Sequence, residues 1–480
     1  MITALLLAAA LQTPDLLIDF DASRGSVLIN GSSTPVGNSV MVAQNFDLGT
    51  PSSNAWVTGD NHFGQLGIKP NPLLPDDQPP NFYWCPQPIG GTTQFLKATV
   101  WQSFDVTLGN FGGGYTFLRQ DGEVQTIGSR VGGRLGDNGV TTGYTNALRT
   151  VRDVNNVVLS DIVDIASYTY ANFAMEDDGT MWSWGQNHEG ILAINNSFNN
   201  PPVVRSYATE IDVSHLTFSV GEKFVRFIDG DHNSFTAGAI TNDGRLALWG
   251  SDERRILNRA PQNGMAGNNL RPEWSDNTGG SAGGIPGSSG AWDDQECVMG
   301  SSSGGSLGLL VADDRDSLDT SARIVSIGDG ATGEFANGDG SGVTDSWREG
   351  FFDCNESTEW PTVPTCGDIT PDSTDFPIKY MGGRDHGYVL TNEGHVHHFG
   401  SCNYYANCVG PHRTGPTGGD LDVFMGDYTA VIVEDDSALT VSVVGAVTYG
   451  LAGDGNSTCS GSAGVDAFCR RRGMLHRPFD

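Results

Sequence analysis

The stretch NGDGSGVTD, from Asn337 to Asp345, has the spacing of a cation loop. Asn337, Asp339, Ser341 and Asp345 stand at positions 1, 3, 5 and 9, with Gly342 at position 6. Calcium takes several hard oxygen ligands from a short loop, with glycine at its sharp bend. A helical calcium loop would add Glu at position 12, where this chain has Arg348. The competing reading is a Gly-Asp loop that matches because the chain is acidic, and it carries more weight. In HVHH, His395 and His397 share one strand face, with His386 and His398 near. Two imidazoles on one face can begin a zinc site. The plainer reading is a repeat position that carries His beside solvated neighbours, and it is the one adopted.

Catalytic patterns are poorer. PGSSG, from Pro286 to Gly290, lacks the strand-turn-helix setting of a serine nucleophile and reads as linker. GNFGGGY, from Gly109 to Tyr115, precedes a strand rather than a helix, so no helix dipole would face a phosphate. Carboxylate pairs such as Asp313-Asp314 abound and single out no glycosidase pair. A non-enzymatic protein is therefore expected, with no cofactor other than the candidate calcium.

Aromatic residues offer contact chemistry instead. Phe82, Tyr83 and Trp84 lie in the loop-like PNFYWCPQP, and Tyr404 and Tyr405 lie between Cys402 and Cys408. Exposed aromatics on loops anchor partners. Alternatively the first loop packs down, with Cys85 tied to Cys297. Close spacing suits disulfides Cys354–Cys366, Cys402–Cys408 and Cys459–Cys469, and hence an oxidising compartment. Free thiols in a reducing compartment are the alternative.

With 57 Asp and Glu against 26 Lys and Arg, the net charge is −31. Such a surface repels nucleic acid and anionic membranes. The apolar start, MITALLLAAALQTP, is far too short to span a bilayer and reads as a docking or anchoring segment, with an uncleaved signal as its rival.

The elements that would carry these residues are short strands. Glycine is 65 of 480 residues, and a frame recurs: apolar residue, Gly, four variable residues, Gly, any, Leu, Gly. Its first glycines are Gly59, Gly128, Gly185, Gly250 and Gly300, with weaker copies at Gly400 and Gly450. Periods of this size mark propeller blades or solenoid units. Asp121-Gly122, Asp178-Gly179, Asp243-Gly244 and Glu393-Gly394 precede their tags at a fixed distance and read as two-residue hairpin turns. The tag glycines would end a strand and shape a turn, with the Leu turned inward.

WVTGDNHFGQLG, DGTMWSWGQNHEGIL and NDGRLALWGSDERRIL resemble repeats of the regulator of chromosome condensation (RCC1) family. The resemblance implies an all-β, seven-bladed β-propeller over 41–480, with insertions at about 259–291 and 329–370. Residues 1–40 would form a short N-terminal extension whose DLLIDF could close the ring. The implied function is protein binding through variable loops. The expected setting is extracellular, a cell surface or a virion, with another protein or a cell-surface glycan as partner and the N-terminus docked into a larger assembly. Nucleotide exchange on a small GTPase and a carbohydrate-active propeller enzyme are the alternatives.

Overall fold

The structure, a computed structural model, describes residues 16–29, 32–44, 54–71, 82–105, 110–194, 203–230, 234–251, 269–275, 295–303, 306–329, 343–350, 375–383, 386–400, 412–413, 420–425, 429–434, 441–445 and 471–472. Its strands form seven sheets, numbered here in chain order. Sheet one contains Leu16–Ile29, Ser32–Gln44, Ala55–Asp60 and Phe82–Ile89, and sheet two Phe95–Asp105, Asn110–Arg119, Val124–Ser129 and Tyr144–Thr150. Sheet three contains Ile162–Ser167, Ala171–Glu176, Met181–Gln186 and Val204–Glu210, and sheet four Phe224–Phe227, Thr236–Thr241, Leu246–Gly250 and Asn269–Trp274. Sheet five contains Glu296–Ser303, Ser306–Ala312, Arg323–Asp329 and Val343–Gly350, with the dipeptide Asp229–Gly230 added in parallel to its first strand. Sheet six contains Pro377–Gly383, His386–Thr391, Val396–Gly400 and His412–Arg413, and sheet seven Asp420–Met425, Thr429–Glu434, Val441–Gly445 and Arg471–Arg472. Each is a meander in which successive strands pair antiparallel.

The Asp-Gly turns join second strands to third, as expected, but the loop is longer by one residue. In sheet two, Gly122 N–H donates to Arg119 O at 3.0 Å and Arg119 N–H donates to Glu123 O at 2.9 Å. The loop is thus Gln120-Asp121-Gly122, a tight turn followed by a glycine in the left-handed region, with φ +80°. Gly179, Gly244 and Gly394 repeat both the bond and the positive φ.

The tag glycine ends the third strand beside a bulge. Pairing of third with fourth strand slips between Val57 and Gly59, Thr126 and Gly128, Ser183 and Gly185, and Leu248 and Gly250. A Cβ on Gly185, at φ +117°, would sit 2.3 Å from Tyr170 O, so only glycine fits. By this criterion the fifth tag is Gly328, where pairing slips between Ser326 and Gly328. Gly300 lies instead in a first strand, opposite Leu309. The third strand of sheet seven likewise ends on Gly445, and Gly450 lies outside the described residues. The hundred-residue gap in the repeat disappears: subtraction over Gly59, Gly128, Gly185, Gly250, Gly328, Gly400 and Gly445 gives intervals of 69, 57, 65, 78, 72 and 45.

Three boundaries also move. Residue 40 falls inside a strand, with Val40 opposite Val57, and DLLIDF begins the first strand of sheet one, pairing with Ser32–Gln44. The stretches 259–291 and 329–370 each contain a fourth strand, Asn269–Trp274 and Val343–Gly350. Glycine- and serine-rich flanks hid those strands from composition.

Apolar cores fill the seams between sheets. Phe173, Phe227, Trp249 and Leu307 unite sheets three, four and five, while Val57, Leu66, Phe95 and Phe117 join sheets one and two. The inward Leu of the tag is confirmed, with Leu66, Leu135 and Leu192 all buried.

Candidate functional site

Each first strand opens on a bulge that skips one aliphatic residue, and in six of the seven sheets a charged residue follows it. The skipped residues are Ile18, Leu96, Val163, Val225, Val298, Ile378 and Leu421. Asp19, Lys97, Asp164, Arg226, Met299, Lys379 and Asp422 follow them, so charge alternates from sheet to sheet except at Met299. A bulge turns two consecutive side chains out of the pleat's alternation, which lets this position reach its neighbour in the next sheet.

Lys97 Nζ donates to Asp164 Oδ1 at 2.8 Å, and Asp164 Oδ2 accepts from Phe227 N–H at 2.7 Å. Lys379 Nζ repeats the first contact on Asp422 Oδ1 at 2.7 Å. Arg226 donates to Val298 O at 3.3 Å, and Tyr380 N–H approaches Met299 Sδ at 3.2 Å, so the sulfur occupies the carboxylate's place. The tripeptides IDF, LKA, VDI, VRF, IKY and LDV, each an aliphatic residue followed by a charged one, were the sequence signal for this series, with VMG in the same place in sheet five.

Hydroxyls make a second chain of seam contacts. Thr99 and Ser167 meet at 2.7 Å, Thr169 donates to Ser234 O at 2.9 Å, and Ser234 meets Ser302 at 2.6 Å. Ser301 donates onward to Gly382 O at 2.7 Å. Arg134, wholly buried, donates to Tyr168 O and Asn172 Oδ1, both at 2.9 Å, and lies 4.8 Å from the Trp101 ring. Burial pushes its guanidinium pKa well below the ordinary range, because desolvation penalises the charged form.

This constellation is suited to holding sheets together. The carboxylates of Asp164 and Asp422 face cations rather than each other, unlike a glycosidase pair. Cys297 is a free, buried cysteine and so is not bonded to Cys85, and desolvation pushes its thiol up to about 12, which disfavours the thiolate. That pairing is corrected: in the first strand of sheet five Cys297 belongs to the apolar seam. GNFGGGY is likewise structural, since Trp101 occupies the space where Gly114 would carry a Cβ.

Phe82, Tyr83 and Trp84 lie in a fourth strand, not a loop: Phe82 stands opposite Asp60 and Tyr83 opposite Gly59. Asp345 falls in the strand Val343–Gly350, while Asn337, Asp339 and Ser341 lie outside the described residues. Tyr404, Tyr405 and the three candidate disulfides lie outside them too. His395 and His397 do come together, and Asp375 joins them.

Antiparallel order puts the connections from third to fourth strands on one side of the sheets and the Asp-Gly turns on the other. On the tag side, Val140 is 67%, Tyr144 43% and Val204 37% exposed. Their segments are tied by Asn138 N–H donating to Ser206 O at 2.7 Å. Composition hid this apolar rim, which joins two segments about 60 residues apart in a polar context.

Among the described residues no helix is long and apolar enough to cross a membrane. No family model matches the chain, and no curated protein does. Solved structures do. Human WBSCR16 is 15% identical, with a TM-score of 0.56 over 87% of this chain and 85% of its own. Prp20p from Saccharomyces cerevisiae, described together with its binding to Gsp1p and histones, is 13% identical, with a TM-score of 0.58 over 87% and 85%. Yeast RCC1 (Prp20) bound to Kap60 is 12% identical, with a TM-score of 0.54 over 87% and 83%. The chain thus has the RCC1-like β-propeller fold.

Proposed function

We propose that the chain is a non-enzymatic protein-binding disc, a closed seven-bladed ring that presents its tag side to a partner. The apolar rim of Val140, Tyr144 and Val204 carries this reading, because Tyr144 is of the aromatic type that anchors interfaces and the two valines add exposed apolar surface on the same side. Closure is supported by the approach of Leu16–Ile29 to Asp420–Met425. An oxidising, extracellular or virion setting is part of the proposal and rests on the close cysteine spacing in the last third of the chain. Peptide mapping that found all eight cysteines reduced would remove that setting.

Affinity capture tests the binding role. Wild type and a turn-side control, Val154→Glu with Val157→Glu, should retain the same partner. Val140→Glu with Tyr144→Glu and Val204→Glu should lose it. Equal capture by all three would refute the tag-side assignment. The second reading is an exchange-type regulator of a small GTPase, favoured only by the fold likeness to Prp20p. Accelerated nucleotide release from a purified small GTPase would support it.

A further inference from the structure

We propose that Asp375, His395 and His397 form a divalent metal site of the zinc class on the turn side of sheet six. Each residue offers one ligand atom, and the three atoms lie within 4.8 Å of one another. His395 follows the Glu393-Gly394 turn, and His397 lies two residues on along the third strand, so the same strand face carries both imidazoles. Asp375 precedes the first strand and is fixed against that turn from the other side. There Phe376 N–H donates to Asn392 Oδ1 at 2.7 Å, and Asn392 N–H donates to Phe376 O at 3.0 Å.

Two further observations separate this cluster from an ordinary ion pair. His395 Nδ1 lies 2.9 Å from Asp375 Oδ2, but Oδ1 of the same carboxylate is buried with no hydrogen-bond partner among the described residues. An unsatisfied buried carboxylate oxygen costs free energy that an ion would recover. His397 is 3% exposed, so this third ligand residue is held out of bulk solvent. Bonds of 2.0–2.2 Å in tetrahedral geometry place ligand atoms about 3.3 Å apart, so a contraction of roughly 1.5 Å at most assembles the site. Two neutral imidazoles and one carboxylate suit zinc or cobalt(II), with a fourth position left for water.

Chelator-treated full-length protein should be titrated with cobalt(II) and zinc. Wild type is expected to bind one equivalent more than Asp375→Asn or His395→Gln, with a visible cobalt band free of thiolate charge transfer, which excludes cysteine ligation. The variants should bind at least tenfold more weakly, and zinc should raise the Tm of wild type alone. His188→Gln, remote from the cluster, should behave as wild type. Both test substitutions lie at partly exposed side chains, and equal Tm without metal shows that they fold. Identical stoichiometry and affinity in wild type and variants would overturn the site, whatever partner the tag side binds.

Discussion

Lys97 and Asp164 face each other across the seam between sheets two and three, with Nζ 2.8 Å from Oδ1. The same offset joins Lys379 to Asp422 between sheets six and seven, at 2.7 Å. Asp164 does more than pair, because its two oxygens also accept the backbone N–H groups of Ile165 and Phe227. Asp164→Ala is therefore expected to cost about 2–3 kcal/mol, and Lys97→Ala about 1 kcal/mol or less. Urea denaturation of both variants and of the double variant checks this, and an Asp164 effect no larger than that of Lys97 would refute the bridging role.

Reassignment of the fifth tag separates two glycines. Gly328→Ala should destabilise as Gly185→Ala does, by about 2 kcal/mol or more, because pairing with the fourth strand slips at the same point in both sheets. Gly300→Ala should cost less: its Cβ would meet chiefly the terminal carbon of Leu309, 2.5 Å away, and a side chain can rotate aside. Thermal melts of the three variants decide between the positions.

Cys297 should resist alkylation. A thiol whose pKa is pushed up to about 12 and which has no solvent access supplies almost no thiolate near neutrality. Iodoacetamide labelling followed by peptide mapping should leave Cys297 unmodified in native protein and modify it after denaturation. Rapid labelling of the native chain would show that the seam opens.

Glu176 gives a pH dependence. Burial raises its carboxyl pKa, opposed by the hydrogen bond from the Trp182 indole. The folded state then holds the proton more tightly than the unfolded chain. Its contribution to stability is full below the ordinary carboxylate range and is lost as pH rises through the raised folded value. Glu176→Gln should accordingly gain stability relative to wild type at neutral pH and flatten the Tm profile across that window.

The repeat was legible where chemistry forces one residue. Gly122, Gly179 and Gly244 need positive φ, and Leu66, Leu135 and Leu192 must fill a seam, so their spacing survived in the sequence. Gly300 misled because SSSGGSLG reproduces the glycine spacing through composition alone. Its sheet joins second and third strands through DDRDSLDTSA, which has no Asp-Gly to mark it. The series of charged seam residues stayed hidden for another reason. A bulge breaks two-residue alternation, and a position that is Asp, Lys or Arg in six units and Met299 in the other matches no fixed motif. Asp375 was out of reach because only the folded turn brings it to His395 and His397.

The alternating polarity of the meanders has a final consequence. Because third-to-fourth connections and Asp-Gly turns leave opposite ends of the strands, the molecule is two-faced by construction. Val140, Tyr144 and Val204 belong to one face, while Asp375, His395 and His397 belong to the other. On the two proposals made above, an ion at the cluster of Asp375, His395 and His397 would leave the side of Val140, Tyr144 and Val204 open to a partner.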